Sequence, residues 1–146
     1  MDMIKHNMTR QISRGKISED DQNAALKRIH TTTDYGPFKE CDLVIEAATE
    51  DEQVKSEILE ELVPSLSPNA IIATNTSSIS VTKLASVTDR PEKFIGMHFM
   101  NPVPVMDLIE LIRGIATSDE TFHAVQGLAK RIGKTVSVAE DFPAFI

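Results

Sequence analysis

The sequence contains no Trp, one Tyr and one Cys. Because Cys41 stands alone, neither an intrachain disulfide nor a cysteine-based metal site is possible. So few aromatic rings leave little to stack on bases. The net charge of −7 also lacks the basic footprint that a nucleic acid requires, so none is expected as a partner. That acidity reads as solubility. No apolar run approaches the ~20 residues of a membrane helix, and no membrane association is expected. The opening residues MDMIKHNMTR have neither the apolar stretch nor the cleavage site of a secretory signal, which makes the cytoplasm the expected compartment. Of the six glycines (Gly15, Gly36, Gly96, Gly114, Gly127, Gly133), no three have the spacing G-x-G-x-x-G. The cradle that such a loop and a helix N-terminus form for a pyrophosphate is therefore absent from this chain.

What is present is an alternation of apolar runs. Met1, Ile4, Met8 and Ile12 predict a helix over 1–13, which Gly15 closes. Ser18 to Asp21 reads as an N-cap with acids in the first turn of a helix reaching about Arg28. Ile29 to Thr33 is β-branched and predicts a strand, with a turn at Asp34, Gly36 and Pro37. Buried strands are predicted at Asp42 to Ala48, Ala70 to Thr74, Phe94 to Phe99 and around Glu110, with a last strand at Lys134 to Val138. Between them lie helices at Asp51 to Leu66 (ending near Pro64), Ser80 to Val87 and Ser118 to Ile132, the last closed by Gly133. Strand and helix in alternation argue an α/β fold with a mostly parallel sheet and helices on both faces. The 146 residues fit one domain. Residues 141–146, DFPAFI, read as the start of a linker or of a new helix.

The chemistry concentrates between Ile71 and Arg113. Two apolar strands each end in polar residues, Asn75, Thr76, Ser77 and Ser78 after the first, His98 and Asn101 after the second. In an open α/β sheet, ligands bind at the carboxyl ends of the strands. A third strand carries Glu110 between Leu108, Ile109, Leu111 and Ile112, where a carboxylate is costly to bury unless paired. A histidine and a carboxylate on neighbouring strands can form an oriented general base. On spacing alone, His98 also fits a structural histidine, Glu110 a strand-edge acid, and Ser77 a cap or turn residue.

The segments NTSSISVT and GMHFMNPVPVMDLIELIRG resemble the nucleotide-binding domain of the 3-hydroxyacyl-CoA dehydrogenases, most closely the bacterial 3-hydroxybutyryl-CoA type. The resemblance runs over essentially the whole chain. It implies a Rossmann-like fold lacking its first β-α-β unit, with residues 1–140 a partial NAD-binding domain and 141–146 leading to a helical domain absent here. It further implies a chain shortened at both ends, with Met1 inside the helix region that follows the missing unit. Ala144 stands where the family has Gly in D-x-P-G-F.

By the same resemblance the cofactor is NAD and the partner an acyl-CoA, 3-hydroxybutyryl-CoA or acetoacetyl-CoA, with a homodimer in the full-length parent. His98 is then the base for the substrate hydroxyl and Glu110 its orienting carboxylate. Ser77 holds the substrate oxygen, while Asn75 and Asn101 lie near the nicotinamide and the substrate carbonyl. Glu50 and Lys55 correspond to positions beside the cofactor ribose and pyrophosphate, and Ala47 and Ala48 lie where the sheet admits an adenosine. Glu50 and Lys55 equally fit a helix-surface pair, and the two alanines fit plain packing. His6, His30 and His123 match no motif and have no metal-ligand spacing. Met97, Met100 and Met106 read as core or acyl-pocket residues. Activity of this piece alone is not expected, and two alternatives stand beside it: a non-catalytic or oligomeric remnant, and a related dehydrogenase acting on a sugar acid.

Overall fold

The computed structural model describes residues 1–142. The chain divides into two compact units, Met1–Asp34 and Tyr35–Ile146. The first is a pair of helices, α1 (Asp2–Ser13) and α2 (Glu19–Leu26). Gly15 takes φ +67°, the left-handed conformation that only glycine adopts cheaply, and it ends α1 as expected. Ser18 and Asp21 form a reciprocal capping box, with the Asp21 N–H donating to Ser18 Oγ (3.1 Å) and the Ser18 N–H to Asp21 Oδ2 (2.9 Å). No residue of α1 is buried. Gln22 Nε2 ties the two helices together by donating to the Lys5 carbonyl and Thr9 Oγ1. Ile29–Thr33 forms no strand, contrary to the expectation from its β-branched residues. β propensity expresses fit to a pleated, half-buried surface, and residues 30–33 are exposed.

The second unit holds a five-stranded sheet in the order β1 (Leu43–Glu46), β2 (Ile71–Thr74), β3 (Phe94–Phe99), β4 (Leu108–Arg113), β5 (Thr135–Glu140). β1, β2 and β3 run parallel, β3 and β4 antiparallel, and β4 and β5 parallel. The helices are α3 (Glu52–Leu62), α4 (Val81–Ala85) and α5 (Asp119–Arg131). Each begins at a capping side chain, Asp51, Ser80 and Ser118, that accepts a backbone N–H three residues on. Pro64 follows the last turn of α3, and the chain tightens there into a 3-10 turn over Val63–Ser65.

Period-two alternation sorts the strands' side chains onto two faces. Val44, Ile72, Phe94 and Ile112 pack with Leu59, Leu62, Val81 and Leu84 of α3 and α4. Ala73, Ile95, Met97, Ile109 and Leu111 pack with Phe122, Val125 and Ala129 of α5. Helices therefore cover both faces, and each large buried side chain contributes roughly 1.5–3 kcal/mol. At Gly96 the α4 face comes too close for any side chain. A Cβ there would lie 2.8 Å from Ile112 Cβ and 3.0 Å from Val81 Cγ2. Gly96→Ala is therefore expected to cost about 1–3 kcal/mol by overpacking, read as a lower urea midpoint at unchanged slope.

Candidate active site

The same period-two rule places Glu46, Thr74, His98 and Glu110 on the α3/α4 face, at the ends of β1, β2 and β3 and the start of β4. The antiparallel turn between β3 and β4 is decisive here. It pairs His98 directly with Glu110 across the ladder. His98 Nδ1 lies 2.8 Å from Glu110 Oε2, and both side chains are part-buried. With the carboxylate as acceptor, Nδ1 carries the proton and Nε2 keeps its lone pair for a ligand.

Asn75 and the turn after β2 sit beside this pair. Asn75 Oδ1 accepts the Phe99 N–H (2.9 Å), tying the end of β2 to the end of β3. Thr76 is buried, whereas Ser77 and Ser78 are exposed. All three donate to one oxygen of Glu50: Oε1 accepts the Thr76 hydroxyl at 2.6 Å, the Ser77 N–H at 2.8 Å and its hydroxyl at 3.2 Å, and the Ser78 N–H and hydroxyl at 3.1 Å. Burial works to raise the Glu50 pKa, but the hydrogen bonds from Thr76, Ser77 and Ser78 outweigh it and hold it at about 2. The folded state therefore binds fewer protons than the unfolded one between the usual value of 4.5 and about 2. Stability contributed by Glu50 is present above that window and is lost as pH falls through it. Urea titrations across this range are expected to show a falling midpoint, with a shallower fall in Glu50→Gln.

Lys55, in the first turns of α3, turns inward. Its ammonium donates to both oxygens of Glu46 (2.9 and 3.0 Å), and the two side chains are each 1% exposed. Thr74 Oγ1 (2.7 Å) and the Ala48 N–H (2.6 Å) complete the bonds to that carboxylate. Ala47 and Ala48 are exposed on the loop between β1 and α3. Asn101 is exposed on the β3–β4 turn, whose carbonyls at Val103 and Met106 accept from Lys134 Nζ (2.6 Å each).

Two acids outside the expected set prove structurally central. Glu46 lies inside the strand predicted at Asp42 to Ala48. Its place directly after the apolar residues Leu43, Val44 and Ile45 is the signal, since a carboxylate buried there needs a partner. Asp141, expected at the start of a linker, accepts the Ser80 hydroxyl (2.8 Å) and the Val81 and Thr82 N–H groups (2.9 and 2.8 Å) at the start of α4. Burial opposes ionisation of Asp141, and the bonds from Thr82, Ser80 and Val81 outweigh it, so its pKa is lowered. No local signal could have shown this, because its partners lie about sixty residues earlier. Ala144 lies outside the described residues.

A sequence profile described as 3-hydroxyacyl-CoA dehydrogenase, NAD binding domain, matches residues 1–142. The chain belongs to this family. Over 146 residues it is 53% identical to a 3-hydroxybutyryl-CoA dehydrogenase of Bradyrhizobium diazoefficiens, matching all of this chain and 50% of the relative. The crystal structure of (S)-3-hydroxybutyryl-CoA dehydrogenase PaaH1 from Ralstonia eutropha superimposes with a TM-score of 0.93 at 50% identity, over 97% of this chain and 50% of that one. A 3-hydroxybutyryl-CoA dehydrogenase from Escherichia coli K12 gives a TM-score of 0.94 at 36% identity, over 99% of this chain and 31% of that one. The chain thus spans about half the length, or less, of the relatives it matches. Among the described residues no helix is long and apolar enough to cross a membrane, and no cluster of side chains is suited to a metal ion.

The NAD-binding-domain family implies a dinucleotide, and the residues present fit one side of it. Glu50 keeps a carboxylate 38% exposed, with Oε2 free of the turn that fills Oε1, a group suited to ribose hydroxyls. The exposed Ala47 and Ala48 leave room beside it. A glycine loop for the pyrophosphate is not in this sequence.

Proposed function

We propose that this chain carries the proton-transfer half of an NAD-dependent (S)-3-hydroxyacyl-CoA dehydrogenase of the 3-hydroxybutyryl-CoA type. The observation that carries this reading is the 2.8 Å bond between His98 Nδ1 and Glu110 Oε2, made across an antiparallel register at the polar end of the sheet. Bound NAD would accept the hydride from the substrate's 3-carbon. His98 Nε2 takes the hydroxyl proton in that direction and returns it to the alkoxide in the other. Glu110 keeps the imidazole oriented by accepting its Nδ1 proton, which leaves Nε2 facing the substrate. Ser77 and Asn101 hold the substrate oxygen and carbonyl, and Asn75, Glu50 and Ala47 line the nicotinamide and ribose side. Residues 141–146 lead toward a second domain that completes the acyl site, and the parent assembles as a homodimer in the cytoplasm. The chain by itself is inactive in this reading, because its sequence has no G-x-G-x-x-G loop to cradle a pyrophosphate.

The test has two arms. Titration of this chain with NADH, followed by fluorescence, is expected to show no saturable binding, and acetoacetyl-CoA is not reduced. A chimera that joins this chain to the remaining half of the Bradyrhizobium sequence is expected to bind NADH and to reduce acetoacetyl-CoA. A folded chimera that binds NADH and leaves acetoacetyl-CoA untouched overturns the assignment. Turnover of a sugar acid in its place moves the site to the related dehydrogenases.

A further inference from the structure

We infer that Asp141 is a positioning residue for the serine turn, residues 76–78, which it holds through the start of α4. The inference deepens the dehydrogenase reading and rests on it, since there Ser77 holds the substrate oxygen. α4 is five residues long. A helix that short does not hold itself together, because its first turn fixes many dihedrals for one hydrogen bond. Something outside it sets where it starts. Ser80 Oγ accepts the Lys83 N–H (3.1 Å), but the N–H groups of a helix's first residues have no partner within the helix. Asp141 accepts those of Val81 at Oδ1 (2.9 Å) and Thr82 at Oδ2 (2.8 Å). The same Oδ2 accepts the Ser80 hydroxyl proton (2.8 Å).

Both sides of this junction are tied down. Asp141 is the first residue after β5, where the chain leaves the sheet. Thr82 Oγ1 accepts the Ile115 N–H (3.0 Å) just past β4. Gly114 permits that approach, since a Cβ there would lie only 3.3 Å from the Thr82 backbone nitrogen. On the other side the serine turn runs directly into α4. Thr76 Oγ1 accepts the N–H groups of Ser78 (3.3 Å) and Ile79 (2.9 Å) and donates its own proton to Glu50. Glu50 thus anchors one end of the turn, and Ser80 and Val81, placed by Asp141, anchor the other. Apolar packing does not replace this second anchor. Val81 lies against Gly96, but such contact is non-directional, whereas an ionised carboxylate taking three donors fixes an orientation.

Backbone order parameters from nitrogen-15 relaxation of the intact, ligand-free chain test this in Asp141→Ala and Asp141→Asn. Val81 and Thr82 lose an acceptor outright, so the decisive residues are Ser77, Ser78 and Ile79, whose N–H groups bond elsewhere. In Asp141→Ala they are expected to fall from about 0.85 to about 0.6 or below, while Ile95 and Leu111 keep theirs. Asparagine offers one acceptor oxygen in place of two, so Asp141→Asn is expected to lie between. Parent values at the three residues in Asp141→Ala overturn the inference. Should the alanine variant not fold, parent values in Asp141→Asn overturn it instead. In the chimera, Asp141→Asn is expected to raise the KM for acetoacetyl-CoA about fivefold, with kcat and NADH affinity nearly unchanged. An unchanged KM beside a loosened turn overturns the link to the substrate. The order parameters need neither ligand nor turnover, so a chimera that fails to reduce acetoacetyl-CoA strikes the dehydrogenase assignment and leaves Asp141 to be decided by them.

Discussion

Lys55→Met is expected to destabilise the chain by about 3–5 kcal/mol, the cost of removing one partner from a buried ion pair. The methionine fills the stem's volume well enough. The loss lies in Glu46, whose carboxylate is left in a nearly water-free site with only Thr74 and Ala48 as donors. The prediction is sharpest as a cycle. Glu46→Gln/Lys55→Met, which removes both charges, is expected to lie close to the parent in stability, because buried pairs often exchange for neutral groups at little cost. Urea unfolding of the parent, the two single variants and the double variant measures the coupling directly. A single variant as stable as the parent would show that water reaches this carboxylate in solution.

His98→Gln is expected to lower acetoacetyl-CoA reduction in the chimera by about 10²- to 10⁴-fold, the usual contribution of a positioned general acid–base. Glutamine keeps a polar end near the same position but cannot take up and release a proton at neutral pH. NADH affinity should hold, because the imidazole acts on the substrate proton and not on the dinucleotide. Glu110→Gln is expected to fall between the two. A neutral amide can still accept the Nδ1 proton, but it can also turn its NH2 toward the ring and orients the imidazole less strictly. Single-turnover rates and NADH titrations of the three proteins separate these outcomes. Equal rates in the parent chimera and His98→Gln would remove His98 from the chemistry.

The alternation of strands and helices was legible in the sequence because each element carries its own local cause. Asp51, Ser80 and Ser118 cap helices through bonds only three residues long, and Gly15 and Gly133 end them by adopting φ +67° and +77°. Apolar runs such as Ile71–Thr74 and Phe94–Phe99 become strands because two helical layers bury them. Ile29–Thr33 shows the limit of the same reasoning. Its residue types suit a strand, yet a strand exists only when a neighbour completes its ladder.

By itself, then, the sequence determined the class of fold, the ends of most elements and the identity of the paired groups at His98 and Glu110, all of which follow from residue type and short-range spacing. Only the tertiary structure decided which groups meet. The reversal between β3 and β4 brings Glu110 to the polar end of the sheet, where a parallel β4 would have carried it elsewhere. Folding also turned Lys55 inward to Glu46, gathered Thr76, Ser77 and Ser78 on Glu50, and carried Asp141 to the start of α4. These contacts join residues up to about sixty positions apart. Their physical cause is burial: a charge removed from water takes whatever partner the packed layers place beside it.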